Sequence, residues 1–153
     1  MARRQLDFRD FPEALAELDR LHAGGYEKRA NWDLAQTCDH LTYFINGTLD
    51  GHPFRVPWLL KFLLGRLILR SILKNRRMRE NATTPQNPLP APGGDEAAAV
   101  QRLKQAIQRL RDHQGEMHDS PLFGHLTPEQ WRELHLIHCA HHFAALAPKA
   151  SPA

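Results

Sequence analysis

Four stretches of the sequence repeat their apolar residues at steps of three and four. Each is bounded by residues that begin or end helices, so the chain is committed to burying helical stripes against one another. The first follows Pro12 and Glu13 with Leu15, Leu18 and Leu21, and Gly24-Gly25 ends it. The second, Trp32 to about Leu49, carries Leu34, Leu41, Phe44, Ile45 and Leu49, with Asn31 placed to cap it and Gly51 and Pro53 beyond its end. Asp95-Glu96 opens the third at its acid-favouring end; Val100, Leu103, Ile107 and Leu110 form its stripe, and Arg109 and Arg111 suit its other end. Thr127-Pro128-Glu129-Gln130 starts the fourth with a threonine cap, a proline in the first helical position and a glutamine three residues after the cap. That helix is expected to reach about Leu146, where Pro148 stops it and PKASPA follows as a frayed tail.

A further stretch, VPWLLKFLLGRLILRSIL from Val56 to Leu73, is apolar enough to raise the question of a membrane span. Lys61, Arg66 and Arg70 interrupt it, and each central charge costs about 2.5 to 3.5 kcal/mol on insertion, so a buried or partly membrane-facing helix is expected instead. Pro85, Pro88, Pro90, Pro92 and Gly93-Gly94 then enforce a long loop over residues 75 to 94. Leu and Ala outnumber Val, Ile and Thr about three to one, the balance of a helical protein. The expected fold class is therefore all-α: a four-helix bundle with a long crossover loop and an additional short helix.

The 153 residues suffice for one domain, expected over residues 1–147 with a disordered tail at 148–153. Two cysteines, Cys38 and Cys139, cannot make a disulfide framework, and MARRQLDFRDF has no apolar run after its arginines, so a cytoplasmic location is expected. In that setting the glycosylation triplets at Asn46 and Asn81 carry no meaning. A net charge of +3 does not announce a nucleic-acid binder.

Ten histidines are the unusual number. On the last helix, at 100° per residue, His135, His138 and His142 fall on one stripe, while His141 sits to its side. His138 and His142 are four residues apart, the spacing at which two ring nitrogens of one helix can meet a single cation. A catalytic zinc-type site commonly uses three protein ligands and keeps one position open, so the third must come from another helix. His40, beside Leu41 and Phe44 on the second helix, is the best placed candidate. The competing reading is that these are ordinary surface or core histidines, and spacing alone favours that reading over a metal site.

The block NWDLAQTCDHLTYFINGTLDGHP, the following PW, and SPLFGHLTPEQWRELHLIHCAHHFAALAP resemble the DUF1569 family of the DinB-like superfamily, from Leu15 to Pro148. The resemblance implies a four-helix bundle with a long crossover, usually dimeric, holding a divalent metal through one histidine of the second helix and an H-x-x-x-H pair of the last. In this sequence those are His40, His138 and His142. It further implies nickel or zinc, with manganese or iron as alternatives, and a hydrolase or a transferase using a low-molecular-weight thiol. The metal would activate water, or polarise a substrate and stabilise a thiolate.

Around that set, His135 could support a ligand or touch a substrate at the site mouth, whereas His141 and His125 read as structural. Cys38 and Cys139 point away from the neighbouring histidines and read as small core residues. Trp32, Trp58 and Trp131 read as packing anchors, and Asp39 and Glu133 carry no catalytic duty because sequence neighbours do not face each other on a helix. The run from Arg66 to Arg79 supplies a rival function. On a continued helix Arg66, Arg70, Lys74 and Arg77 lie within about 80°, a basic face for anionic membrane or nucleic acid. Alternatively, Arg66 and Arg70 contact an anionic substrate on its way to the metal.

Overall fold

The structure is a computed structural model that describes residues 2–54, 64–80 and 91–149. Its helices are α1 (Phe11–Gly24), α2 (Leu34–Asp50), α3 (Arg66–Asn75), α4 (Glu96–Asp112) and α5 (Pro128–Phe143), with two short strands, β1 (Tyr26–Lys28) and β2 (Leu146–Pro148). The all-α expectation holds. Of the sequence features singled out above, Val56–Leu63 with Trp58, and Asn81 with Pro85, Pro88 and Pro90, lie outside the described residues.

Each long helix begins where a side chain satisfies an otherwise orphaned N–H. The Asp10 carboxylate accepts from Glu13 N at 2.9 Å for α1, and the Asp95 carboxylate from Ala98 N at 3.0 Å for α4. Thr127 and Gln130 form a reciprocal capping box on α5, as the sequence predicts. For α2 the cap is Asp33 rather than Asn31. Gln36, three residues after Asp33, returns its side chain to the Asp33 N–H, a closure that Asn31 lacks. Tyr26 adds to this start by accepting from Leu34 N at 2.9 Å.

The principal contacts run from α1 to α4 and α5, and from α2 to α4 and α5, so the four long helices close a ring in the order α1-α4-α2-α5. Inside it Leu18, Leu21, Leu34, Leu41, Ile45, Leu103, Ile107, Leu110 and Phe143 are fully buried. Each contributes about 1.5 to 3 kcal/mol of transfer free energy. Cys38 and Cys139 belong to this core as small buried residues, and burial drives both thiols well up, Cys139 to about 12. The short α3 packs on the outside of α5.

The last helix ends at Phe143, three residues before the expected point, because Leu146–Pro148 turns back as β2 and pairs antiparallel with β1, Tyr26 opposite Pro148. Lys149 N donates to Gly25 O at 3.0 Å, so the expected tail is tied down at its first two residues; 150–153 lie outside the described residues. Arg4 secures the same end of α5. Its backbone N–H donates to Ala144 O, and its guanidinium reaches Phe143 O at 3.0 Å and Glu17 at 2.5 Å.

The basic run does not form one continuous face. Arg76 adopts a left-handed conformation (φ 50°) that ends α3, and its guanidinium is tied to Asp7 at 2.6 Å, Glu133 at 2.8 Å and Phe8 O. Arg77 therefore leaves the row begun by Arg66, Arg70 and Lys74. Among the described residues, no helix is long and apolar enough to cross a membrane.

Candidate metal centre

Adjacency of α2 and α5 in the ring lets a side chain from the inner face of one meet the inner face of the other. His40 points inward because its neighbours at helical spacing, Gln36 and Thr37, are themselves buried. Its Nε2 lies 3.2 Å from His138 Nε2, which lies 3.0 Å from His142 Nε2. All three donor atoms are within 4.8 Å of one another. The ring centroids form a nearly equilateral triangle, at 4.5 Å (His40–His142), 4.7 Å (His138–His142) and 5.1 Å (His40–His138), with the planes splayed by 58 to 70° rather than stacked.

These distances match what a cation requires. Nitrogens bound tetrahedrally at about 2.0 to 2.1 Å stand about 3.3 Å apart. The donor chemistry agrees as well. His138 Nε2 confronts two other nitrogens but can offer only one N–H or one lone pair, so no tautomer satisfies both approaches fully. A cation accepts all three lone pairs at once. The rings are held neutral, as ligands must be. Burial, reinforced by His141, pushes His40 down to about 4, while burial and the neighbouring imidazoles depress His138 and His142 strongly. The three-histidine group can thus hold a metal ion.

Aromatic rings surround the group. Trp32 stacks on His142 at 5.3 Å with 7° between planes and leans on His40 at 4.8 Å; Phe44 packs on His40 at 4.9 Å and His138 at 5.4 Å. Trp32 is thus a wall of the site rather than a remote packing anchor, while Trp131 is buried in the core as expected. Phe44 was legible in principle, since it follows His40 by four residues on the same face. His40 is buried, and His138 and His142 keep partial exposure.

The other sequence candidates fall elsewhere. His135 is only 3% exposed and stacks on Trp131, so it is no substrate contact at an open mouth. The Thr48 hydroxyl donates to Phe44 O at 3.1 Å, so its oxygen accepts from His135 Nε2–H at 2.9 Å, which fixes the tautomer. Burial and nearby His52 take His135 down to about 3. His141 meets His142 edge-on at 4.9 Å, and His125 is an exposed partner of Asp119. Asp39 is engaged by Arg102 and Glu133 by Arg76, so neither carboxylate serves the cluster. Arg66 and Arg70 line a separate groove that none of the three clustered histidines enters.

The fold and site define an all-α bundle with an internal three-histidine group able to hold a metal ion. The sequence model of the DUF1569 family, described as a protein of unknown function, matches residues 1–149, and the chain belongs to that family. No curated protein and no solved structure matches it.

Proposed function

We propose that His40, His138 and His142 bind one divalent metal ion, nickel or zinc ahead of manganese or iron, and that the site is that of a hydrolase or a thiol transferase. The convergence of three neutral Nε2 atoms at 3.0 and 3.2 Å carries this reading. An all-imidazole set suits zinc and nickel better than the carboxylate-preferring ions, because the group contains no oxygen ligand. A cation bound there would acidify water or a thiol and polarise a substrate oxygen.

The chain's own contributions follow from its geometry. Three neutral ligands leave the ion's full charge uncompensated, which favours an anionic nucleophile such as hydroxide or thiolate. Trp32 and Phe44 hold the imidazole planes and offer apolar faces to a small substrate, a low-molecular-weight thiol among the candidates. Thr48 and His135 brace α2 against α5 behind the cluster. Membership of the DinB-like superfamily, a homodimer and a cytoplasmic location are compatible with this reading and form part of the proposal.

Metal analysis of untagged protein after exposure to nickel, zinc, manganese and iron tests it. One equivalent bound by the wild type and lost in His138→Ala and His142→Ala, but kept in His141→Ala, supports the proposal. Trace metal in the wild type refutes it. Displacement of a bound-metal optical signal by small thiols would then separate thiol transfer from hydrolysis.

A further inference from the structure

The surface of α3 is unlike that of the other helices. Leu69 faces the bundle and is buried, yet Leu67 and Ile68, with Leu64 two residues before the helix starts, stand 66%, 50% and 55% exposed, and they are the exposed large apolar residues among those described. Their spacing of three and four places them on one outward stripe. Arg66, Arg70 and Lys74 follow at four-residue steps along its flank, and none of them makes an ion pair among the described residues. Elsewhere Arg4, Arg76, Arg102, Lys104 and Arg109 are all paired with carboxylates. A groove of about 750 Å³ runs beside the three free cations, and its opposite wall holds His125, Thr127 and Gln130 at the positive end of the α5 dipole. The basic wall favours an anion; on the other, His125 is already paired with Asp119 and the Thr127 and Gln130 side chains close the α5 capping box.

We propose that α3 docks the protein on an anionic lipid bilayer, with Leu64, Leu67 and Ile68 entering the headgroup boundary and Arg66, Arg70 and Lys74 meeting lipid phosphates along the groove. An apolar stripe edged by basic residues is the pattern of a helix lying in the plane of a membrane. Nucleic acid would satisfy the cations but offers nothing to three exposed aliphatic side chains. A second copy of the chain would cover the stripe, but a two-fold contact brings each patch against itself and crowds unpaired cations together. The lipid surface alone matches both halves of the face. This docking is independent of the metal, since the groove and the histidine cluster share no residue.

Co-sedimentation of the full-length, untagged protein with phosphatidylcholine vesicles, with and without about 30% phosphatidylglycerol, tests the proposal. Binding should require the anionic lipid and weaken steeply between about 50 and 200 mM salt. Leu67→Glu with Ile68→Glu should weaken it at least tenfold, and Arg66→Gln with Arg70→Gln and Lys74→Gln about a hundredfold, roughly fivefold per cation. All five side chains are solvent-facing, so far-ultraviolet circular dichroism and metal content should not change. Equal binding to both vesicle types, no binding, or binding untouched by either variant overturns the proposal. So does a dimer in light scattering that Leu67→Glu dissolves, or duplex-DNA binding lost in the cation variant but kept in the apolar one.

Discussion

His138 makes both of the short nitrogen contacts, so its replacement by alanine removes the vertex of the cluster while His40 and His142 stay in place. Four-ligand structural zinc sites gain roughly 10 to 16 kcal/mol on binding, or about 2.5 to 4 kcal/mol per ligand, so one lost imidazole should raise the metal dissociation constant about a hundred- to a thousandfold. The effect is read most simply as stability. At a metal concentration about a hundred times the wild-type dissociation constant, binding to the folded state adds about 2.7 kcal/mol. For a chain of this length that raises Tm by roughly 5 to 11 °C. At the same concentration His138→Ala is at best half-loaded and gains about 0.4 kcal/mol, a shift of about 1 to 2 °C. Thermal unfolding with and without zinc or nickel, using His141→Ala as the control that keeps the full shift, makes the comparison. A His138→Ala protein with the wild-type metal shift would refute the assignment of the cluster as the metal site.

The metal-free protein should lose stability in mild acid. His40 and His135 sit near 4 and 3 when folded, below the ordinary value of about 6.5, so the unfolded chain takes up protons first as pH falls. Stability is complete above about pH 6.5 and is lost toward pH 4. The two groups together cost about 4 kcal/mol at pH 5, which urea unfolding at pH 7 and pH 5 should register; equal midpoints would contradict the burial argument. Replacing Thr48 by valine strands the His135 Nε2–H in the interior and should cost about 1 to 3 kcal/mol at pH 7, measured by the same method. On α2, a Cβ at Gly47 would run into the His52 ring, so Gly47→Ala should destabilise the protein, and His52→Ala in the same chain should restore much of the loss. A double variant no better than Gly47→Ala would point to a different clash.

What could be read from the sequence was set by local physics. The Thr127–Gln130 box and the Leu103–Ile107–Leu110 stripe need only neighbours within two turns, so residue spacing suffices. Asn31 and Asp33 are both competent caps, and Gln36, three residues after Asp33, was the signal that distinguishes them. That shift of two residues matters for function, because it leaves Trp32 before the helix, free to stack on His142. The β1–β2 pairing joins segments about 120 residues apart through three-residue strands, too short to show alternation, and it ends α5 early. The H-x-x-x-H pair could be deduced from helical arithmetic alone, whereas the partnership with His40 depends on which helices are ring neighbours, and the family resemblance supplied that expectation. Arg77 left the basic face because Arg76 ends α3, held there by Asp7 and Glu133, residues that no local window connects to it.

X-ray absorption at the metal edge of the loaded, untagged protein addresses the central claim most directly. The three-imidazole assignment predicts nitrogen scatterers at about 2.0 to 2.1 Å with outer-shell imidazole features, reduced in number by His40→Ala as well as by His138→Ala. A first shell of oxygens alone, or a spectrum unchanged by losing His40, would contradict it.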